Sequence, residues 1–439
     1  MAGFLGMRGT GDWVTDQRPK SWREMILRLY PNGAAPLTAL TSKLKSEVTL
    51  DPQFYWWTKA LPTQAGAVTN IYTDSGLSVA YTSGGTTGDF LYVNVAESVI
   101  SEIRVGHQVL LRDASDLTVD VLAEVVDRSA NGSSSYAKVR LMEDDDNSSY
   151  GDLSDCDRIL ITGNMNSEGA AMPDAISYDA SKWTNYTQIF RTPLEITGTQ
   201  HETRLRTNPD AYQELKRETL ELHSIELEKA FLFGIPTETT GSNGKPKRST
   251  LGLIPAIKGG TTGFGGDAGT VSNFPTDPSY SGQTWLQGGE HWLDTQLELM
   301  FRYNKREKLA FCGSGAVLAL NRIVKNGGDY VFTPQAKSAY GIDMVRWVTP
   351  AGVINLVTHP LFSYEITMNH TMVIFEPENI KYRYIKNRDT KFFGDGPDKN
   401  TGWTRRDGLK EEYLTEAGLE FHHPIGWGYL TGLGTDNNV

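Results

Sequence analysis

The stretch Asn208 to Pro236, NPDAYQELKRETLELHSIELEKAFLFGIP, is the one on which the reading of the chain turns. Asn208 is a good N-cap, Pro209 suits the first helical position, Asp210 puts negative charge in the first turn, and Gly234 and Pro236 mark the end. The spacing predicts one helix of about 25 residues, a rod of roughly 37 Å at 1.5 Å per residue, long for a globular helix. At 100° per residue, Tyr212, Leu215, Thr219, Leu222, Ala230 and Phe233 fall on one stripe, and Leu220, Leu227 and Phe231 form a second, narrower seam. Glu214, Arg217, Glu221 and Glu228 occupy a polar stripe. Such a helix has two apolar contacts to satisfy, where a plain surface helix has one; a core helix in an ordinary mixed domain is the competing account.

Upstream, the text is written mostly in β. From Phe54 to about Thr199 short β-branched and aromatic runs follow one another, FYWWTKAL, NIYTD, FLYVNVA, HQVLLRD, TVDVLAEVVD, YAKVRLM, RILITG and TQIFRTPLEIT. Within it, 86 to 165 reads as about five short strands, enough for a small closed barrel inserted into a longer excursion. Residues 1 to 50 hold one short amphipathic stretch, SWREMILRLY, and too few apolar residues for a core of their own, which reads as an arm. Downstream of the helix a Gly/Ser/Thr-rich stretch leads into an α/β pattern from Glu290. The chain then reaches two long strand-like runs, NIKYRYIKNRDTKFF and LKEEYLTEAGLEFHH, joined by GDGPDKNTGWTRRDG.

Composition narrows the function classes. The chain has 439 residues, 39% hydrophobic and 22% charged, the balance of a folded protein with two or three domains. No apolar run approaches the roughly 20 residues that cross a bilayer, so no membrane contact is expected. A net charge of -11 argues against a dedicated nucleic-acid surface but suits a wall that must not stick to DNA. Cys156 and Cys312 form no ligand spacing and read as free thiols. The run Glu143, Asp144, Asp145, Asp146 reads as a solvated loop, with a weak divalent-ion site as the sharper alternative. Gly263, Gly265, Gly266 and Gly269 do not keep a dinucleotide-loop spacing. CGSGA at 312 to 316 lacks the Gly-x-Ser-x-Gly pattern, and Ser314 reads as a helix N-cap. His422 and His423, adjacent on a predicted strand, would face opposite sides, wrong for one metal. No catalytic residue, metal or cofactor is expected.

The order of parts resembles the major capsid proteins of tailed phages, the Hong Kong 97-like fold, in a branch whose extended loop carries a β insertion. The phrases that carry it are PNGAAPLTAL followed by FYWWTKAL, then NYTQIFRTPLEIT on the returning strand, and FEPENIKYRYIKNRDTKFFGD leading to the end. The resemblance implies an α+β fold with these parts: an N-terminal arm, 1–50; an extended β loop, 51–199, containing the inserted domain 86–165; a peripheral domain of helix and long strands, 200–234 and 378–423; and a central α/β domain, 235–377 and 424–439. It further implies a non-enzymatic shell protein that forms hexamers and pentamers of an icosahedral shell around double-stranded DNA, without sequence-specific contact. The expected place is the virion, with assembly in the host cytoplasm and with scaffolding, portal and decoration proteins as partners. A scaffolding segment of the kind some members lose on maturation finds no room here, so a separate scaffolding protein or an already processed chain is implied. The alternative class is another phage structural protein, such as a tail or fibre component with carbohydrate-binding β domains; a hydrolase whose site the fold assembles comes third.

Subunit contacts follow as expectations. Trp56 and Trp57, consecutive in a strand, face opposite sides, so at least one is expected to meet another subunit, with Trp22 and Tyr30 of the arm. Leu220, Leu227 and Phe231 would be covered by neighbouring parts of the subunit or by the next one. Arg405 and Arg406, in the loop between the final strands, would pair with neighbouring copies. The excursion offers only Lys59, Lys138 and Lys182 for a covalent cross-link of the kind some relatives form, and none is assigned.

Overall fold

The computed structural model describes residues 37, 46–59, 64–114, 120–145, 153–169, 172–202, 211–259, 268–302, 306–327, 331–334, 345–394 and 408–437. Trp22 and Tyr30, the cap Asn208–Asp210, Asp146, Gly263, Gly265, Gly266, and the loop bearing Arg405 and Arg406 lie outside them.

In chain order the strands are β1 (Ser46–Thr49), β2 (Gln53–Thr58), β3 (Ala65–Tyr72), β4 (Phe90–Val95), β5 (His107–Arg112), β6 (Asp120–Ser129), β7 (Tyr136–Leu141), β8 (Arg158–Asn164), β9 (Ser181–Tyr186) and β10 (Gln188–Thr197). The long helix α1 (Ala211–Phe233) follows, then the hairpin β11 (Thr237–Thr240) and β12 (Pro246–Ser249), and β13 (Thr270–Asn273). Next come α2 (Trp285–Phe301), β14 (Glu307–Cys312), α3 (Ser314–Gly327), β15 (Val331–Pro334), β16 (Val345–Val348), β17 (Val353–Thr358), α4 (Pro360–Tyr364) and β18 (Met372–Phe375). The last are β19 (Ile380–Ile385), β20 (Lys391–Gly394), β21 (Gly408–Phe421) and β22 (Gly428–Thr431). The chain divides into two compact units, Lys59–Ala180, and Met1–Thr58 with Ser181–Val439.

In the larger unit, α1 lies on a sheet of order β1-β19-β21-β10, with β20 also paired to β21. The β10–β21 ladder runs antiparallel from Gln188↔Ala417 to Thr197↔Gly408, and β1 adds parallel to β19. Strict alternation on β10 turns Phe190, Thr192, Leu194 and Ile196 toward the helix and leaves Ile189, Arg191, Pro193 and Glu195 exposed. Leu227 and Phe231 meet this sheet, Phe231 edge-on to Phe190 and Tyr382 at ring distances of 6.0 and 6.2 Å. The buried line on α1 is Thr219, His223, Leu227, Phe231, each four residues after the last, so contact follows an i+4 ridge that drifts round the helix. This corrects the two-stripe assignment. Leu222 lies behind that line and is 55% exposed, Leu220 lies ahead of it at 43%, and Leu227 and Phe231 belong to the chain's own core, closed to any neighbour.

The expected end of the helix has a packing cause. A Cβ on Gly234 would sit 2.4 Å from the carbonyl of Thr250, because the chain returns past the helix terminus there and Gly252 donates to Gly234. The expected final pair of long strands is only half right. β21 runs unbroken for 14 residues, but its partner run breaks into β19 and β20 around Asn387, whose left-handed φ of 64° turns the chain. The strand also stops before His422 and His423, and His423 too is left-handed.

Beside this layer a seven-stranded sheet, β13-β22-β18-β14-β17-β16-β15, packs its face on α2 and α3 around Trp285, Trp292, Leu297, Met300 and Leu320. Ser314 is the first helical residue of α3 rather than its cap. Asn369 does the capping, its side-chain oxygen accepting from Gly315 N at 2.6 Å and from the Ser314 hydroxyl at 2.9 Å.

The smaller unit is a closed six-stranded barrel, β3-β4-β7-β6-β5-β8, filled by Val68, Ile71, Val93, Val109, Leu111, Val125 and Val139 among others. The inserted domain therefore begins before residue 86, since β3 pairs with both β4 and β8 and closes the ring. In the acidic run Glu143 and Asp144 are exposed, as expected of a solvated loop, while Asp145 is buried. Glu143 accepts from Leu122 N, Asp144 from the backbone and hydroxyl of Thr87, and Asp145 from the Tyr81 hydroxyl, so these carboxylates tie the barrel's end. The Thr87 bonds hold the Asp144 carboxyl below its usual range.

Candidate subunit-contact surface

On β2 the sequence FYWWT sorts its rings by alternation. Trp56 points inward, stacked 5.9 Å from both Phe54 and Trp183, with its indole N–H donating to the Phe421 carbonyl at 2.7 Å. Trp57 points the other way and is 61% exposed, with Tyr55 on the same face and the Lys182 ammonium 3.9 Å above the Tyr55 ring. Among the described residues the β2–β9 ribbon has two strands, with Trp56 and Trp183 buried on one face and Tyr55 and Trp57 exposed on the other.

The ribbon is clamped at its base. Asn185, fully buried, donates to the Leu419 carbonyl at 2.7 Å and accepts from Leu251 N and Tyr186 N, both at 2.7 Å. A Cβ on Gly418 would come within 2.7 Å of the Tyr186 carbonyl, so glycine is what allows β21 to approach the ribbon. Trp57 and Tyr55 thus stand on a ribbon whose base is tied by buried hydrogen bonds to β21 and to Leu251.

Away from α1, the sheet carries ion pairs across neighbouring strands. Glu47 of β1 meets Lys381 and Arg383 of β19, and both cations also meet Glu420 of β21. Arg388 pairs with Glu416, Arg191 with Glu412 at 2.7 Å, and Lys410 with Glu195. Burial acts to raise the Glu420 carboxyl, but hydrogen bonds from His422 and Arg383, with the charges of Arg383 and Lys381, outweigh it and hold the group at about 2.

Buried polar groups elsewhere in this unit are spent on packing. His223 sits between the hydroxyls of Thr192 at 2.9 Å and Thr415 at 2.8 Å, and burial pushes its pKa down. His359 Nε2 contacts Glu228 at 2.7 Å, and Glu228 also accepts from Leu37 N at 2.8 Å, which fixes this residue of the arm against α1. Lys308 and Glu376 form a fully buried pair at 2.5 Å, and burial pulls the Lys308 pKa down against the opposing hydrogen bond from Glu376. Both cysteines are buried and free, the Cys156 thiol pushed up to about 11 by burial. Among the described residues, no three His, Cys, Asp or Glu side chains converge to hold a metal ion.

Of the expected contact residues, then, the structure leaves Trp57 and Leu220 exposed and places Trp56, Leu227 and Phe231 in the chain's own core. Tyr55 and Lys182 were missed, although the alternation that separates Trp56 from Trp57 puts Tyr55 beside Trp57 at once.

The chain thus has a long helix laid on extended antiparallel strands, a clamped two-stranded ribbon, a separate mixed sheet and an inserted barrel. Residues 8–434 match the family model described as SU10 major capsid protein, and the chain belongs to that family. It is a major capsid protein, a structural component of the virion. A major capsid protein of Pseudomonas phage PaMx41 is 23% identical over 99% of this chain and 97% of its own length. Among solved structures, the capsid of the cyanophage P-SCSP1u matches 62% of this chain and 80% of its own at 12% identity and a TM-score of 0.37. An encapsulin complex from Synechococcus elongatus PCC 7942 matches 61% of this chain and 79% of its own, also at 12% identity and a TM-score of 0.37.

Proposed function

We propose that the protein assembles without catalysing any reaction, as hexamers and pentamers that close into an icosahedral shell around double-stranded DNA. Assembly takes place in the host cytoplasm with a scaffolding protein, and the finished shell carries a portal and decoration proteins. The observation that carries the reading is the exposed ring pair Tyr55 and Trp57 on a ribbon whose other face is clamped by Trp56 and Asn185. A large aromatic surface held rigid and uncovered is the form of an interface anchor, and copies of the same chain are the partners a shell supplies. Leu220 on α1 belongs to the same contact set, and Trp22, Tyr30, Arg405 and Arg406 remain its further candidates. The test is electron microscopy of purified protein with and without Trp57→Ala. Closed shells or capsomer rings from the wild type, and discrete subunits from the variant with an unchanged melting curve, are expected. Wild-type protein that stays as discrete subunits under all assembly conditions would sink the reading.

A further inference from the structure

Between the start of β10 and the hairpin β11–β12 lies a groove of about 650 Å³, walled by Thr187, Gln188 and Ile189 on one side and by the hairpin on the other. Its charges are unequal. Glu416 on the floor is engaged by Arg388, and Arg248 on the wall by Glu238 at 3.0 Å. Lys245 and Lys247, on the same wall, make no ion pair among the described residues. β10 is the terminal strand of its sheet, so its outer edge offers backbone groups to an extended chain, and Ile189 adds an apolar spot that is 51% exposed.

A matching element occurs in the other unit. Residues 172–180, MPDAISYDA, belong to no helix or strand among the described residues, with Asp174 and Asp179 exposed and Ile176 and Tyr178 half-buried between them, and the Asp174 carbonyl accepts from Arg104 at 3.3 Å. From 159 to 181 the sequence contains Glu168, Asp174 and Asp179 and no lysine or arginine. The chain's own copy of this segment enters β9 at Ser181, five strand positions, or about 17 Å, from Tyr186 beside the groove. A second copy can present the segment without that constraint.

We infer that the groove between β10 and the β11–β12 hairpin receives the 172–180 segment of a second copy, with its aspartates against Lys245 and Lys247. The inference rests on the shell reading and names one of its contacts. The pairing is between exposed groups, so it is screened by salt and selects register more than it adds strength.

The test uses the full-length chain under conditions where the wild type forms shells; a wild type that forms none is the failure of the shell reading and is seen separately in that control. Lys245→Glu with Lys247→Glu is expected to keep the subunit melting curve and lower shell yield at least tenfold. Adding Asp174→Lys and Asp179→Lys to the same chain is expected to restore it. Undiminished yield from the lysine variant overturns the inference. So does a loss that the aspartate changes fail to rescue. Independently, Lys247→Cys with Asp179→Cys, oxidised after assembly, is expected to give covalent multimers of subunits on a non-reducing gel, with the buried Cys156 and Cys312 contributing no background. Monomer alone on that gel overturns the proposed occupant. Shells that form normally from the lysine variant but retain less nucleic acid would assign the groove to a polyanion instead, and would likewise overturn it.

Discussion

The barrel and the helix-on-sheet layer are both β-rich, yet they solve the problem of strand edges in opposite ways. In the barrel every strand pairs on both sides and a core of apolar side chains meets at the centre, so no strand edge is left open, although Phe90, Leu122, Val126 and Leu160 face outward. The layer under α1 instead ends in β10 on one side and in the four-residue β1 on the other, and its excursion ribbon is two strands wide. One region is finished by its own chain; the other is the one on which the proposed contacts with further copies fall. The difference teaches where an incoming strand can be received: on open edges, which the layer has and the barrel ring does not.

Cutting the barrel out tests this contrast most severely. Replacing 65–164 with a short Gly/Ser linker is expected to leave a single cooperative melt for the rest of the chain. Replacing only 86–165 strands β3, with Val68 and Ile71 uncovered, and is expected to give aggregating protein. If the two deletions behaved alike on heating, the ring closure by β3 would carry no weight.

Within the ribbon, Trp56→Ala is expected to cost about 3–5 kcal/mol of subunit stability, because it removes a buried ring and leaves a cavity. Trp57→Ala should move the denaturation midpoint by no more than about 0.5 kcal/mol while reducing assembly. Equal effects on unfolding would remove the distinction between the two faces. Lys308→Ala is expected to cost about 3–5 kcal/mol by leaving Glu376 buried and unpaired, whereas Lys308→Met with Glu376→Leu should recover most of it in urea titrations.

Acid gives a smaller effect with a defined sign. The Glu420 carboxyl is held at about 2 against an ordinary 4.5, so its contribution is present above 4.5 and is lost as pH falls toward 2. The contribution is at most about 3 kcal/mol. Glu420→Gln should therefore flatten the acid limb of subunit stability between those values, and an unchanged limb would show that the cluster holding β1 is not its source. Smaller again, Lys182→Ala should cost the subunit about 0.5–1 kcal/mol through the lost contact with Tyr55, measured by thermal melts.

Most of the architecture was legible in the sequence because its signals are local. Gly234 announced the end of α1, and the alternation in QIFRTPLEIT gave β10 its faces. What escaped was set by distant geometry. Leu222 and Phe231 look equally apolar, but only the oblique path of α1 over the sheet decides that one is exposed and the other sealed. The break at Asn387 needed one left-handed residue that a polar stretch does not advertise, and the membership of β3 in the barrel depends on pairing with β8, some 90 residues away by roughly counting along the chain. The contact surface was half legible: alternation separated Trp56 from Trp57, but nothing local said which would be sealed by the carbonyl of Phe421.

Pro193 sits at the middle of β10, an open strand of the sheet. A shell brings many copies of one chain to high local concentration, and an open strand such as β10 invites its twins to stack into endless ribbons. With a residue that can donate no backbone hydrogen bond at its middle, flanked on the same face by Arg191 and Glu195, the edge is poor ground for such growth beyond a few residues. The chain can thus keep an edge available for a short, specific guest while being stored, transported and packed at densities where an unguarded strand would turn soluble subunits into fibres.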